Sequence, residues 1–162
     1  MAKKEKKPET PGKHFTPTIT NKKAHFNFVV MEKFEAGLSL LGTEVKSLRQ
    51  GTATLDEAFG RIRGGELFLI GANIPVYSFG TVYNHEPKRT RKLLVHRREL
   101  NKIESKLAQK GYTLVPLRIY FEHGLAKIEM ALAKGKSHGD KREKLRDREH
   151  ERDIRRATSR RR

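Results

Sequence analysis

Between Lys88 and Arg98 the chain sets six Lys/Arg in eleven positions around Leu93-Leu94-Val95. Guanidinium groups so close together, in a loop that feeds a helix, match phosphates bidentately. The block therefore reads as a polyanion contact, with a merely solvated loop as the alternative on pattern alone. Phe26, Phe28, Tyr120 and Phe121 offer stacking faces for unpaired bases, although an aromatic on an alternating strand more often belongs to a core. Lys127 and then Lys134-Gly135-Lys136 extend the positive surface toward the C-terminus.

Catalytic constellations are missing by comparison. Gly42-Thr43-Glu44-Val45-Lys46-Ser47 ends in Lys-Ser but lacks the glycines that cradle a phosphate. The seven histidines never stand at the H-x-x-x-H spacing of a helix-borne zinc site, and no G-x-S-x-G elbow occurs. Glu44, Asp56 and Glu57 are the only carboxylates suggestive of a Mg²⁺-dependent nuclease, yet carboxylates at a helix edge are usually caps or solvated charges. The expectation is a binding protein rather than an enzyme, with no cofactor and no metal.

The charge says which partner. In 162 residues, 36 Lys+Arg oppose 19 Asp+Glu for a net charge of +17, with no Cys and no Trp. Such an excess favours polyanions, and the length suits one modest domain plus tails. The absence of cysteine excludes disulfides and thiolate metal sites. No apolar run approaches the roughly 18 residues of a membrane span, so the expectation is a soluble, cytoplasmic protein without a membrane partner. Residues 1–23 hold seven Lys against two Glu, and residues 134–162 hold thirteen Lys/Arg against six Asp/Glu. The ends thus carry most of the excess. Residues 1–20 read as a disordered basic arm, 21–136 as the folded body, and 137–162 as a basic tail, disordered when free. After Gly139 the tail has only Leu145, Ile154 and Ala157 as apolar residues, too few to dock a helix. Its charge pairs at i,i+3 and i,i+4, such as Asp140/Lys144 and Glu151/Arg155, still permit helix formation on a polyanion.

The body must hold these residues in place, and its pattern is mainly that of short strands. His25–Val30 alternates as a strand. Phe59–Arg63 and Glu66–Ile70 flank Gly64-Gly65, a two-residue loop able to supply the positive φ of a tight hairpin. Leu114–Glu122 and Leu125–Ala133 flank His123-Gly124 in the same way, with Ile128, Met130 and Leu132 on one face and Lys127, Glu129 and Ala131 on the other. Leu41, Val45 and Leu48 followed by Gly51 predict a short helix, and Arg97–Lys110 before Gly111 a longer one. The expected fold is mainly β with helices: an OB-like closed antiparallel β-barrel with two to three attached helices and a flexible basic tail. An open α+β sheet is the alternative.

Four blocks, in order, carry a resemblance. Asn21-Lys22-Lys23-Ala24, then Phe34-Glu35-Ala36-Gly37-Leu38 through Gly42-Thr43-Glu44-Val45-Lys46-Ser47-Leu48-Arg49, then Arg89-Thr90-Arg91-Lys92-Leu93-Leu94, and finally Ala133-Lys134-Gly135-Lys136 with Asp140-Lys141-Arg142 closely resemble the SmpB family of tmRNA-binding (SsrA-binding) proteins. The resemblance implies an OB-like barrel that binds the tRNA-like domain of tmRNA and delivers it to stalled ribosomes to start trans-translation. Elongation factor Tu is expected in the same delivery complex. The tail is expected to meet small-subunit ribosomal RNA at the empty decoding centre and messenger channel, folding there into a helix.

Carried over by position, the RNA-binding surface comprises Asn21, Lys22, Lys23, Phe28, Glu35, Lys88, Arg89, Arg91, Lys92, Leu94 and Lys127. Glu35 repels phosphate but can accept from base amino groups or 2′-hydroxyls, or orient a neighbouring cation. The ribosome-directed tail comprises Lys134, Gly135, Lys136, His138, Asp140, Lys141, Arg142, Arg148, Ile154, Arg155 and Arg156. Two departures stand out. Gly139, with His138 one place earlier, precedes Asp140 where many relatives have His, and His150 stands where relatives commonly place Trp. A ribosomal protein or general RNA chaperone remains the second reading of the residues.

Overall fold

The computed structural model describes residues 17–80 and 84–137, with Gly139 and Arg146. Its elements in chain order are β1 (Ile19–Thr20), α1 (Ala24–Asn27), β2 (Phe28–Leu38), α2 (Gly42–Arg49), β3 (Phe59–Arg63), β4 (Glu66–Ile70), β5 (Arg91–Leu94), α3 (Arg97–Leu107), β6 (Tyr112–Glu122) and β7 (Leu125–Gly135). The protein is mainly β, with three helices among the described residues. Every strand pairing is antiparallel: β1 with β6, β6 with β3 and β7, β3 with β4, β4 with β5, β5 with β2, and β2 with β7.

Turn chemistry places both expected hairpins. Gly64 and Gly65 have φ of 58° and 71° between β3 and β4, the left-handed pair that a two-residue hairpin loop demands. Between β6 and β7, His123 takes φ of 49° and Gly124 φ of 79°. Gly51, at φ of 75°, follows the cap of α2 directly, where a left-handed residue stops a helix; α3, expected to run to Lys110, instead ends at Leu107 with its cap at Ala108, and Gly111, at φ of 91°, lies in the connection to β6.

Two further expectations change. The segment read as a strand from His25 begins its strand at Phe28, because Ala24–Asn27 forms one helical turn. The Asn21 Oδ1 accepts from the Lys23 and Ala24 amides at 3.1 and 3.0 Å, a side-chain turn that competes with extended backbone. The body also starts before Asn21. Ile19 and Thr20, assigned to the arm, pair with Ile119 and Arg118, and Ile19 is buried. One apolar residue in a Thr/Pro-rich stretch gives no local sign of its partner strand.

The buried side chains form two clusters on opposite faces of the long strands. The main core gathers Leu38, Leu48, Leu67, Leu69, Leu93, Leu114, Ile119, Ile128, Met130 and Leu132 with Leu100 and Ile103 of α3. A smaller cluster of Ala24, Val115, Leu117, Ala131 and Ala133, with Phe28 and Val30 against it, lies on the other face under α1. β2 serves both because its register with β7 shifts between Val30 and Glu32. One extra residue reverses which face the following side chains meet. Phe28 and Val30 therefore face the small cluster, whereas Phe34, Ala36 and Leu38 face the main core. A second shift in β6, between Pro116 and Arg118, lies where a proline without an N–H is tolerated.

β3 meets β6 through the single register pair Gly60↔Leu114. A Cβ on Gly60 would stand 2.8 Å from the Leu114 Cβ and 2.9 Å from the Met130 Cε. Gly60→Val should therefore destabilise the fold by about 1–3 kcal/mol through overpacking, read as a lowered urea midpoint with unchanged slope.

Candidate nucleic-acid interface

The spacing of Leu41, Val45 and Leu48 predicts the helix after β2, but of these three only Leu48 is buried, and it shares the buried face of α2 with Glu44 and Ser47. Glu44 Oε2 accepts the Leu41 amide at 2.7 Å at the start of α2, and the same carboxylate takes two guanidiniums. Arg89 donates from Nε at 2.8 Å and Nη2 at 2.5 Å, and Arg91 donates from Nε at 2.9 Å. Arg91 further donates to the carbonyls of Ala72, Arg89 and Pro87 at 2.7–3.0 Å. Burial pushes the Glu44 carboxyl up, but the Arg89 hydrogen bonds, the Leu41 amide and the Arg91 charge outweigh it and hold the group below its ordinary 4.5.

This cluster corrects part of the predicted surface. Arg91 is fully buried and has no face to offer an RNA phosphate. Asn21 is buried too, its amide donating to the Leu55 and Pro116 carbonyls at 3.0 Å each. Both side chains are engaged inside the fold, Asn21 with two carbonyls and Arg91 with Glu44 and three carbonyls. Arg89 keeps 28% of its side chain exposed beside Glu44. His85, in the same loop, is held by Thr43 Oγ1 at 2.9 Å and the Ile74 carbonyl at 3.0 Å. Only the three-dimensional path shows that these basic-block residues anchor their loop.

Strand β5, pinned by Arg91 at its start, ends at Leu94, which is 55% exposed. There the structure brings together three of the predicted residues from distant parts of the chain. Glu35, Leu94 and Lys127 line one open cleft of about 510 Å³ with Ala36, Gly37, Val95, His96 and Glu99. Lys127 donates to Glu35 Oε1 at 2.5 Å and to Glu122, and the Tyr120 hydroxyl donates to Glu35 Oε2. The Lys127 and Tyr120 hydrogen bonds hold the Glu35 carboxyl below its usual range. Bonds to Glu122 and Glu35 hold the Lys127 ammonium above its own. Burial, followed by the bond to Glu35, pushes the Tyr120 hydroxyl up to about 12. The Arg118 guanidinium lies 5.1 Å from the Tyr120 ring centre and bonds Glu129 at 2.9 Å. An apolar ledge beside alternating acceptors and donors suits base edges and 2′-hydroxyls better than bare phosphates.

The remaining predicted residues distribute around this cleft. Lys22 is exposed. Lys23 pairs with Asp56 at 2.8 Å, Lys88 with Glu57 at 3.9 Å and Lys92 with Glu66. These three are exposed pairs that cost little to exchange for phosphate. Phe28 does not join the cleft: seven residues before Glu35, it lies roughly 23 Å along the strand at about 3.3 Å per residue, packed against the small cluster. Lys134 lies over the Tyr112 ring at 4.9 Å, Gly135 ends β7, and Lys136 donates to the His25 carbonyl at 2.7 Å. His138, Asp140, Lys141, Arg142, Arg148, Ile154, Arg155 and Arg156 lie outside the described residues. His96, Glu99 and Glu122 escaped the sequence reading. Tyr120 was noted only as a stacking face, although its alternation with Lys127 across the hairpin signals a shared outer surface.

An antiparallel sheet with attached helices, a net positive surface and a polar cleft on an apolar ledge is the build of a small basic RNA-binding protein. A family model described as SmpB protein matches residues 18–160. An SsrA-binding protein of Geobacter sulfurreducens is 52% identical over 134 residues, 83% of this chain and 88% of that protein. One from Bifidobacterium longum is 53% identical over 140 residues, 86% and 89% of the two chains. A chain from the solved structure "tmRNA-SmpB: a journey to the center of the bacterial ribosome" superposes with a TM-score of 0.66 at 43% identity, covering 81% of this chain and 96% of that one. This chain belongs to the SmpB family.

Two outcomes test the site. Glu44→Gln leaves Arg91 buried without its counter-charge and should cost about 3–5 kcal/mol in chemical denaturation, while Glu44→Leu combined with Arg91→Met recovers part of the loss. Because the folded carboxyl is held below 4.5, its contribution is complete above that pH and drains as pH falls through the folded value. The gap between wild type and Glu44→Gln should therefore shrink on acidification. Second, Glu35→Gln should move the Tyr120 hydroxyl from about 12 part of the way toward its ordinary 10.0, seen as ultraviolet phenolate absorbance absent from Tyr120→Phe.

Proposed function

We propose that this protein binds the tRNA-like domain of tmRNA and acts in trans-translation, delivering that RNA to stalled ribosomes together with elongation factor Tu. The observation that carries this reading is the convergence of Glu35, Leu94 and Lys127 in one cleft, in a chain half identical to SsrA-binding proteins. The strand pairings run in a circuit through β6, β3, β4, β5, β2 and β7, which supports an OB-like closed barrel as the body. The body, residues 21–136 with the short β1 added, takes the folded RNA elbow by shape, phosphates and a few base contacts. The basic tail, 137–162, is the part that enters the decoding centre and messenger channel of the small subunit, disordered when free and helical there. From Asp140 to Ala157 a helix would span about 27 Å at 1.5 Å per residue. The N-terminal arm adds diffuse positive charge. A cytoplasmic location follows from such partners, and among the described residues no helix is long and apolar enough to cross a membrane.

Of the three carboxylates behind the nuclease reading, Glu44 is held by two guanidiniums, while Asp56 and Glu57 form surface pairs with Lys23 and Lys88; a Mg²⁺-dependent cleavage assay on the purified protein tests that reading. Against the ribosomal-protein and RNA-chaperone readings, a competition titration decides. The tRNA-like domain of tmRNA should be preferred over other folded RNAs of equal length, and equal binding of all would overturn the assignment. Affinity should fall steeply with salt, by up to roughly 10³-fold between 50 and 200 mM by analogy with duplex binders. Lys127→Ala should weaken binding about tenfold at unchanged melting temperature. A chain truncated after Lys136 should bind the RNA normally yet fail to support peptide tagging on stalled ribosomes; retained tagging would refute the role of the tail.

A further inference from the structure

The most exposed aromatic among the described residues is far from the Glu35 cleft in sequence and unused by it. Phe79, at 80% exposure, stands at the tip of the turn after Pro75. The turn is held by its own hydrogen bonds. Asn84 donates from Nδ2 to the Tyr77 carbonyl at 2.8 Å and accepts the Tyr77 amide at its Oδ1 at 3.2 Å, and the Gly80 amide donates to the Tyr77 carbonyl at 2.8 Å. At Gly80 a Cβ would meet the Asn84 Nδ2 at 2.6 Å, so a side chain there would have to displace the Asn84 amide from the clamp. Tyr77 backs the exposed ring, with centroids 5.7 Å apart and planes inclined by 59°. The exposed Lys46 of α2 places its ammonium 5.2 Å from the Tyr77 ring centre.

An apolar ring held out in water by a braced turn costs hydration free energy that folding could have recovered by burying it. Here a cation stands over the ring that backs Phe79. Aromatic faces interleaved with cations are how single-stranded nucleic acid is held: the ring stacks a base and the cation meets the adjoining phosphate. An apolar protein partner would find one ring beside an ammonium, whereas an unpaired nucleotide finds both of its halves matched.

We propose that the 75–80 turn is a second RNA contact, a stacking finger in which Phe79 takes an unpaired nucleobase and Lys46 the neighbouring phosphate. It rests on the RNA-binding reading above. The finger projects from the loop that Ile74 and His85 tie to α2, so it contacts the RNA separately from Glu35, Leu94 and Lys127.

Because the chain lacks Trp, Phe79→Trp places a single indole at the tip without changing its aromatic character. Titrating the full-length variant with the tRNA-like domain of tmRNA should quench the indole fluorescence, since stacking on a base does so. Phe79→Ala should weaken binding roughly 5- to 100-fold at unchanged melting temperature, and Phe79→Tyr should restore most of the affinity. Lys46→Gln should lower the salt slope of binding by about one. Wild-type affinity for Phe79→Ala together with an unquenched indole would overturn the proposal, as would an indole that responds only to added protein. Those results with a weakened Lys127→Ala variant would sink the finger alone. Failure of the wild-type chain to prefer this RNA would instead sink the functional reading.

Discussion

A carboxylate buried between two guanidiniums holds the architecture around the interface together. Glu44 lies in the first turn of α2, Arg89 belongs to the basic loop and Arg91 opens β5, so one charge cluster ties the helix to a loop and a strand 45 and 47 positions away. Charges removed from water are unfavourable unless each is met by a partner of good geometry. Glu44 satisfies two cations and a helix-end amide, and Arg91 spends its remaining donors on three carbonyls. Sliding β5 or rotating α2 would strand one of these groups, which gives the cluster its power to specify a single arrangement. Everything that β5 carries outward, Lys92 and Leu94 above all, inherits its position from that lock.

The long strands add a second constraint. A strand can bury one face cheaply, but β2, β6 and β7 bury different faces along their lengths, and register shifts in β2 and β6 make the exchange possible. At one end the outer face is covered by α1 and the alanines of β7. Toward the hairpin the same face opens, and the carboxylates, ammonium and phenol of the cleft occupy it. Polar groups gather where no helix covers the sheet, because there water, and in turn a ligand, can satisfy them.

The net charge of +17 acquires a more detailed meaning from this arrangement. In the body many cations are engaged with carboxylates at the surface, in pairs worth little in water and readily exchanged for phosphates. Lys127 is the clearest case, shared between Glu35 and Glu122. Under the function proposed above, the body discriminates by matching donors to acceptors, and the C-terminal residues, with thirteen Lys/Arg against six acids in 134–162, add attraction of a less selective kind.

Local rules made much of the fold legible. The Gly64-Gly65 and His123-Gly124 turns, the stop at Gly51 and the alternation of β7 depend on dihedral preferences and periodicity within a few residues, so they are present in the chain as written. The fate of the basic block is not. Arg91 and Lys92 are adjacent and alike in charge, yet one is buried against Glu44, 47 positions away, and the other faces water. The turn at Ala24–Asn27 hangs on the Asn21 side chain, whose amide is held by the Leu55 and Pro116 carbonyls, and Ile19 pairs with Ile119. Likewise Glu35, Leu94 and Lys127 meet only because two register shifts and a buried ion cluster bring three strands into one alignment. The sequence by itself determined the turns, the helices α2 and α3 and the partition of charge, because these are settled by neighbours along the chain. Tertiary structure alone decided which cations stand inside the fold and which face water, because burial of a charge depends on a partner that the chain meets only after folding.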